Sequence, residues 1–248
     1  MNAPILKRIG SVAELGKLRE RLRAELASKG AGGRQILVCF GGSCLASGAK
    51  EVRDALRLEL EMEKLSDQVA LVETGCMGPC VVGPVVLVGE DRTFYQGVKP
   101  ADAADIVRQH LCGGKRVERL LVQDAAGKTP APCRCDLEFF KRQTQVVLRN
   151  CGWINPERIG DAIARDGYAA LAKVLAECTP AGVVEEMKAS GLRGRGGAGF
   201  PTWLKWSLAR DSADAVHYVL CNADEGDPGA YMDRRVLEGD PHRVIEGM

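Results

Sequence analysis

Four cysteines stand in two close pairs, Cys39 with Cys44 and Cys76 with Cys80, and each pair lies in a glycine-bearing segment. The segments read Cys39-Phe-Gly-Gly-Ser-Cys44 and Thr74-Gly-Cys76-Met-Gly-Pro-Cys80. Thiolates carried on loops with so little side-chain bulk can turn toward one point, and four converging thiolates ligate an iron-sulfur cluster, whose potential hydrogen bonds to sulfur then tune. The same donors suit a tetrahedral zinc ion, although zinc pairs are usually spaced nearer C-x2-C than the C-x4-C found here. Buried or disulfide-bonded thiols are a third reading, disfavoured in a reducing compartment. The remaining six of the ten cysteines, Cys112, Cys133, Cys135, Cys151, Cys178 and Cys221, are scattered and do not read as a site.

A second constellation lies near the other end of the chain. Gly194, Gly196 and Gly199 satisfy G-x-G-x-x-G literally, but Val183 to Ser190 before them has helical and not strand periodicity, so the strand-turn-helix of a dinucleotide fold is missing. A Walker A loop is excluded because Phe200 and Pro201 follow Gly199. What the residues describe is a glycine loop, Gly194-Arg195-Gly196-Gly197-Ala198-Gly199, facing the N-terminus of a following helix, with Arg193, Arg195 and Lys205 adding charge and Phe200 offering a stacking face. Such a loop suits a phosphate-bearing ligand with a planar ring. A plain solvated connector is the alternative.

Further on, Asn222, Asp224, Glu225 and Asp227 crowd one turn-rich segment that lacks the ligand pattern of a calcium loop. Carboxylates suit ribose hydroxyls and an amide suits a flavin edge, with an ordinary solvated turn as the alternative. Trp203 and Trp206 read as core residues.

The elements that must position these groups follow from periodicity. Ser11 and Glu14 form a capping box before a helix through Leu15, Leu18, Leu22 and Leu26, stopped at Gly30 and Gly32-Gly33. Strands are expected at Gln35 to Phe40, Val69 to Thr74, Val85 to Val88 and Thr93 to Val98, with a helix through Val52, Leu56 and Leu60 and another from Asp102 to Leu111. Residues 113–139, with Thr129-Pro130-Ala131-Pro132, read as a linker between a domain at 1–112 and a second at 140–248. In the second, Asn155-Pro156 and Thr179-Pro180 are expected to open helices, with a break at Gly167; Thr202 should cap another, and Val216 to Cys221 should form a strand.

Composition narrows the class. The 248 residues carry 34 basic and 33 acidic side chains and are 46% apolar. Nothing in that balance favours nucleic acid, and no apolar run approaches the roughly 18 residues of a membrane span. The opening residues lack a signal-peptide core, which gives a cytoplasmic expectation.

The cysteine pairs and the following Val81 to Val88 resemble the thioredoxin-like 2Fe-2S ferredoxins, including the small iron-sulfur subunit of respiratory complex I, over about residues 34–111. Ser190 to Thr202, Leu204-Lys205-Trp206 and Cys221 to Ala230 resemble the flavin subunit of NADH:quinone oxidoreductase, as do Leu148-Arg-Asn-Cys-Gly152 and Leu237-Glu-Gly-Asp-Pro-His242. Related flavin subunits of NAD-reducing hydrogenases and formate dehydrogenases carry a thioredoxin-like ferredoxin domain in front. The resemblance implies an α/β chain with a thioredoxin-like 2Fe-2S domain followed by the N-terminal part of a complex I flavin-subunit-like FMN-binding domain. It implies a 2Fe-2S cluster on Cys39, Cys44, Cys76 and Cys80, with zinc reduced to a minor alternative.

It further implies FMN and NAD(H) phosphates at Gly194, Arg195, Gly196, Gly197, Gly199 and Phe200, with Phe200 near the adenine. FMN would be held by Lys205, Asn222, Asp224 and Glu225, and NADH reached by Asp227. Trp203 departs from the family, which commonly has Gly there. Hydride transfer from NADH to FMN and onward transfer of single electrons is the implied chemistry, with no side chain acting as a general base. Partners would be other iron-sulfur and catalytic subunits of a redox complex. Because the family continues beyond Met248, a non-enzymatic electron-transfer or interaction module with an incomplete flavin site is the alternative.

Overall fold

The computed structural model describes residues 8–29, 34–123, 130–131 and 133–248, so expectations resting on Gly30, Gly32, Gly33, Thr129 and Pro132 lie outside the described residues. The first helix, α1 (Val12–Lys29), opens as its sequence dictates: Ser11 Oγ accepts the Glu14 N–H at 3.2 Å, while the Glu14 carboxylate accepts from Gly10 N at 2.7 Å. It does not pack on the sheet that follows. Arg19 and Arg23 instead donate to the carbonyls of Ile163 and Ala164 at 3.1 and 2.8 Å, satisfying the open C-terminal end of a helix in the second half of the chain.

The sheet is built from β1 (Gln35–Cys39), β2 (Ala70–Thr74), β3 (Val86–Val88) and β4 (Thr93–Tyr95), in the order β2-β1-β3-β4. β1 pairs in parallel with β2 and antiparallel with β3, and β3 with β4 is antiparallel. The central strand is an unbroken apolar run, and Ile36, Leu37 and Val38 are all fully buried, as a strand covered on both faces requires. Between β1 and β2 lie α2 (Gly42–Ala46) and α3 (Ala49–Met62); α3 turns Val52, Leu56 and Leu60 onto the sheet at helical spacing. Burying a side chain such as Leu56 completely is worth about 1.5–3 kcal/mol. A 3-10 turn at Pro100–Asp102 and a π-helical segment at Asp105–Cys112 occupy the place of the expected final helix.

Described residues within 113–139 pack in part on the sheet. Val117, Leu120, Leu121 and Leu137 are buried in the same core as the sheet, and Gln96 N donates to Leu120 O at 3.0 Å. Short strands β5 (Val122–Gln123) and β6 (Pro130–Ala131) pair, and α4 (Glu138–Lys141) follows. Proline and glycine content suggests a linker, and the apolar residues among its described part are buried with the sheet.

In the second half the regular elements among the described residues are helices: α5 (Ile159–Ala164), α6 (Ala169–Glu177), α7 (Pro180–Ser190), α8 (Thr202–Arg210), α9 (Met232–Gly239) and α10 (Pro241–Gly247). α1 packs on α5 and α6. Thr179 caps α7 as expected, its Oγ1 accepting from Gly182 N at 3.1 Å.

Three expectations are corrected. Asn155 caps no α-helix: its Oδ1 accepts from Glu157 N in a turn, and α5 begins four residues later. Thr202 is the first residue of α8 and Pro201 occupies the cap, without a side-chain bond. Val216 to Cys221 is not a strand; Tyr218 and Leu220 are 81% and 88% exposed, and no described strand lies alongside to complete a ladder.

One buried polar chain joins the π-helical segment to the sheet. Val117 N donates to Tyr95 Oη at 2.9 Å, and that hydroxyl is hydrogen-bonded with His110 Nδ1 at 2.9 Å. Burial holds His110 below its ordinary value and pushes Tyr95 up to about 12. As pH falls below about 6.5 the unfolded chain takes up the proton first, so this residue's contribution to stability is lost toward acid. The denaturation midpoint should therefore fall between pH 7.5 and 5.5, and His110→Asn, which keeps an acceptor but cannot titrate, should flatten that part of the profile.

Candidate functional site

The parallel pairing of β1 with β2 sets Cys39 opposite Thr74, so the two strands end side by side and their following loops leave from one edge. Cys39 closes β1, Cys44 lies in α2, Cys76 lies in the loop after β2 and Cys80 begins the 3-10 turn Cys80–Val82. The loops are stitched together by Phe40 N donating to Thr74 O at 2.8 Å and Ser43 Oγ donating to Cys80 O at 3.1 Å. Cys76 and Cys80 sulfurs are 3.5 Å apart. Cys39, Cys44 and Cys76 are at most 5% exposed, while Cys80 is half-buried and forms the open side.

The thiols perturb one another as a cluster of potential anions must. Its hydrogen bond with Cys44, reinforced by burial, raises Cys39 to about 11, and the same bond lowers Cys44. Cys76 is raised by its bond with Cys39 and by burial, and Cys80 by burial first, with Arg235 pulling the other way. Such a site binds metal only by releasing protons. Among the described residues no three of these four sulfurs all lie within 4.8 Å of one another; the group that does is Cys133, Cys135 and Asp136, at the surface, whose two cysteines are among those scattered in the sequence.

Gly41 is what allows the loops to meet. A Cβ there would stand 2.8 Å from Cys76 Cβ and 3.2 Å from its sulfur.

Residues beyond the four also converge here. Cys151 is fully buried and driven up to about 12, chiefly by burial. It packs where Gly75 meets Gly239, a contact so close that a side chain on Gly75 would collide with Gly239 Cα and stand 3.0 Å from Cys151 Sγ. Gly152 N donates to Thr74 Oγ1 at 2.7 Å, and Asn150 donates to the buried Asp240 at 2.6 Å. From α9, Arg235 Nη2 approaches Cys80 Sγ at 3.4 Å. Sequence periodicity could not have paired residues more than 70 positions apart; the only signal was that Cys151 and Gly239 fall in the segments 148–152 and 237–242 that resembled the flavin subunit.

The glycine loop runs between α7 and α8. Gly194 N donates to Phe200 O at 2.8 Å, Arg193 Nη1 donates to Gly199 O at 3.0 Å, and Gly197 and Gly199 take positive φ values that favour glycine. Arg195, Gly196, Gly197, Phe200 and Lys205 are exposed, with Gly194 and Gly199 half-buried, at the N-terminal end of α8. Trp203 is half-buried with the Lys188 ammonium 4.9 Å from its ring centroid, but Trp206 is exposed and is not core.

In the acidic segment Asn222, Asp224 and Asp227 are exposed, Asn222 Oδ1 accepting from Asp224 N at 3.1 Å. Glu225 does something the sequence did not foretell: its carboxylate accepts from Asp233 N at 2.7 Å and Arg234 N at 3.1 Å, capping α9. No hydrogen bond or ion pair among the described residues joins the glycine loop to residues 222–230.

Comparison with known proteins gives both units a family. Residues 25–111 match the thioredoxin-like [2Fe-2S] ferredoxin family, and residues 187–248 match the Nuo51 FMN-binding domain. The chain thus carries a thioredoxin-like [2Fe-2S] ferredoxin domain followed by Nuo51 FMN-binding sequence.

Among its relatives, NADP-reducing hydrogenase subunit HndC of Solidesulfovibrio fructosivorans is 59% identical over 108 residues, 44% of this chain and 22% of that protein. NAD-reducing hydrogenase HoxS subunit alpha of Cupriavidus necator is 30% identical over 255 residues, 98% of this chain and 39% of that protein. The chain thus spans 22% and 39% of these relatives' lengths. Among solved structures, the thioredoxin-like [2Fe-2S] ferredoxin of Aquifex aeolicus matches 38% of this chain and all of its own, at 34% identity and a TM-score of 0.35.

The Gly41 contact is open to test. Gly41→Ala should push the two cysteine loops apart at a cost of about 1–3 kcal/mol, the usual price of overpacking, read from the urea midpoint of the purified protein.

Proposed function

We propose that this chain is an electron-transfer polypeptide whose Cys39, Cys44, Cys76 and Cys80 hold a 2Fe-2S cluster, within a subunit that takes electrons from NADH through FMN. The observation that carries the reading is the meeting of four thiols at the ends of two parallel strands, inside the segment that matches the ferredoxin family. A tetrahedral zinc ion at about 2.3 Å from each sulfur would hold all four sulfurs about 3.8 Å apart. What favours a 2Fe-2S cluster over zinc is the match of this segment to the thioredoxin-like [2Fe-2S] ferredoxin family.

For the flavin, the donor chemistry fits: free backbone amides and the cations Arg195 and Lys205 beside the start of α8 suit phosphate, and Asn222, Asp224, Glu225 and Asp227 suit ring and ribose polar groups. Gly194, Gly196, Gly197, Gly199 and Phe200 would line the phosphate and base side of that site. When bound, FMN supplies hydride acceptance and single-electron release, and the cluster stores one electron. The chain's own residues bind and orient these groups, and none serves as a general base. Further iron-sulfur and catalytic subunits of a hydrogenase, formate dehydrogenase or NADH dehydrogenase assembly are the expected partners, and the expected location is cytoplasmic. No described helix is long and apolar enough to cross a membrane.

One observation favours a second reading, a ferredoxin module without flavin turnover: residues 216–230 are largely exposed and make no bond to the glycine loop. Anaerobic purification separates the two. Two iron and two acid-labile sulfide per chain, lost on Cys44→Ser or Cys76→Ser, support the cluster; stoichiometric zinc without sulfide overturns it. Retained FMN bleached by NADH supports the flavin reading, and a full cluster with no flavin leaves the module.

A further inference from the structure

The open side of the cysteine site is covered from the other half of the chain. Tyr231, Arg234, Arg235 and Glu238 face Gly42, Ser43, Cys76 and Cys80 across a cavity of about 450 Å³. Within it the two arginines are placed differently. Arg234 is paired with Glu238 at 2.8 Å and lies beside Gly42, whereas Arg235 aims its Nη2 at the sulfur of Cys80, the most accessible of the four thiols.

The position of Arg235 is built and not incidental. α9 is held at its N-terminus by the Glu225 carboxylate, which accepts the N–H groups of Asp233 and Arg234. At its C-terminus Gly239 is wedged against Gly75 and Cys151, and the fully buried Asp240 accepts from Asn150. A helix fixed at both ends delivers its middle residue to one place.

A guanidinium is permanently charged, and donates to sulfur while adding positive charge beside it. Both effects stabilise whichever state of a bound cluster carries more negative charge, the reduced one, and so raise its reduction potential. We propose that Arg235 sets the reduction potential of the centre held by Cys39, Cys44, Cys76 and Cys80, and that Glu225 is the positioning residue that holds the helix carrying it. This rests on the cluster reading above. It also ties a residue expected at the flavin site to the cluster through a single helix, so that whatever draws on the Glu225 carboxylate acts on the guanidinium beside Cys80. The step affected is a one-electron reduction in which no bond is made or broken.

The test is an anaerobic redox titration of the full chain with dithionite and mediators, followed by the EPR signal of the reduced cluster. Arg235→Gln should weaken reduction about tenfold, which for one electron is a midpoint about 59 mV more negative. Arg235→Lys, which keeps the charge but not the planar fork, should fall between Gln and the unsubstituted protein, and guards against loss of the cluster in the Gln variant. Glu225→Gln should shift the midpoint in the same direction by a smaller amount. An Arg235→Gln protein with full iron, full sulfide and an unmoved midpoint overturns this proposal alone. Absence of iron and sulfide from the unsubstituted protein overturns the cluster reading and this proposal with it.

Discussion

Parallel pairing of β1 and β2 is the constraint from which the rest of the site follows. Two neighbouring parallel strands must end at the same edge, and the connection between them has to travel the length of the sheet, here through α2 and α3. Cys39 and Cys76 are neighbours because their strands are. Cys44 and Cys80 then need only short turns to come back, and Gly41 and Gly83 keep side chains out of the space between the loops. The ladder between β1 and β2 pairs Cys39 with Thr74 and so sets where both loops leave the sheet.

The ferredoxin half was legible for that reason: its signals are local. An apolar run is a strand, a run with Val52, Leu56 and Leu60 at helical spacing is a helix, and cysteines beside glycines at strand ends share one edge of the sheet. What was not legible depends on contacts distant in sequence. The segment 113–139 has a linker's composition, yet Val117, Leu120, Leu121 and Leu137 complete the core. Val216 to Cys221 has a strand's composition but lies with its backbone unpaired among the described residues, and propensity without a neighbouring strand leaves it exposed. Asn155 and Thr202 are the right residue types for caps, one or more residues away from where the helices begin.

The candidate site divides in the same way. The four cysteines were recognisable from type and spacing, whereas Arg235, Gly239 and Cys151 were not, because nothing in a linear reading says that α9 returns to the loop after β2. Glu225 was picked out as an acid in a polar turn; that it closes a helix instead of standing free emerges only from the fold. The glycine loop kept its expected form, an accessible stretch at the start of α8, without being brought against the acidic segment.

α1 carries a consequence of its own. It precedes the ferredoxin sheet in the chain, yet lies against α5 and α6, with Arg19 and Arg23 gripping the end of α5. The same neighbour is met twice: α1, ahead of the sheet in sequence, packs on α5 and α6, and Gly75, just after β2, meets Gly239 at the end of α9. The edge of the sheet that carries the cysteines thus meets the helices after it at more than one place, held by packing as well as by the chain.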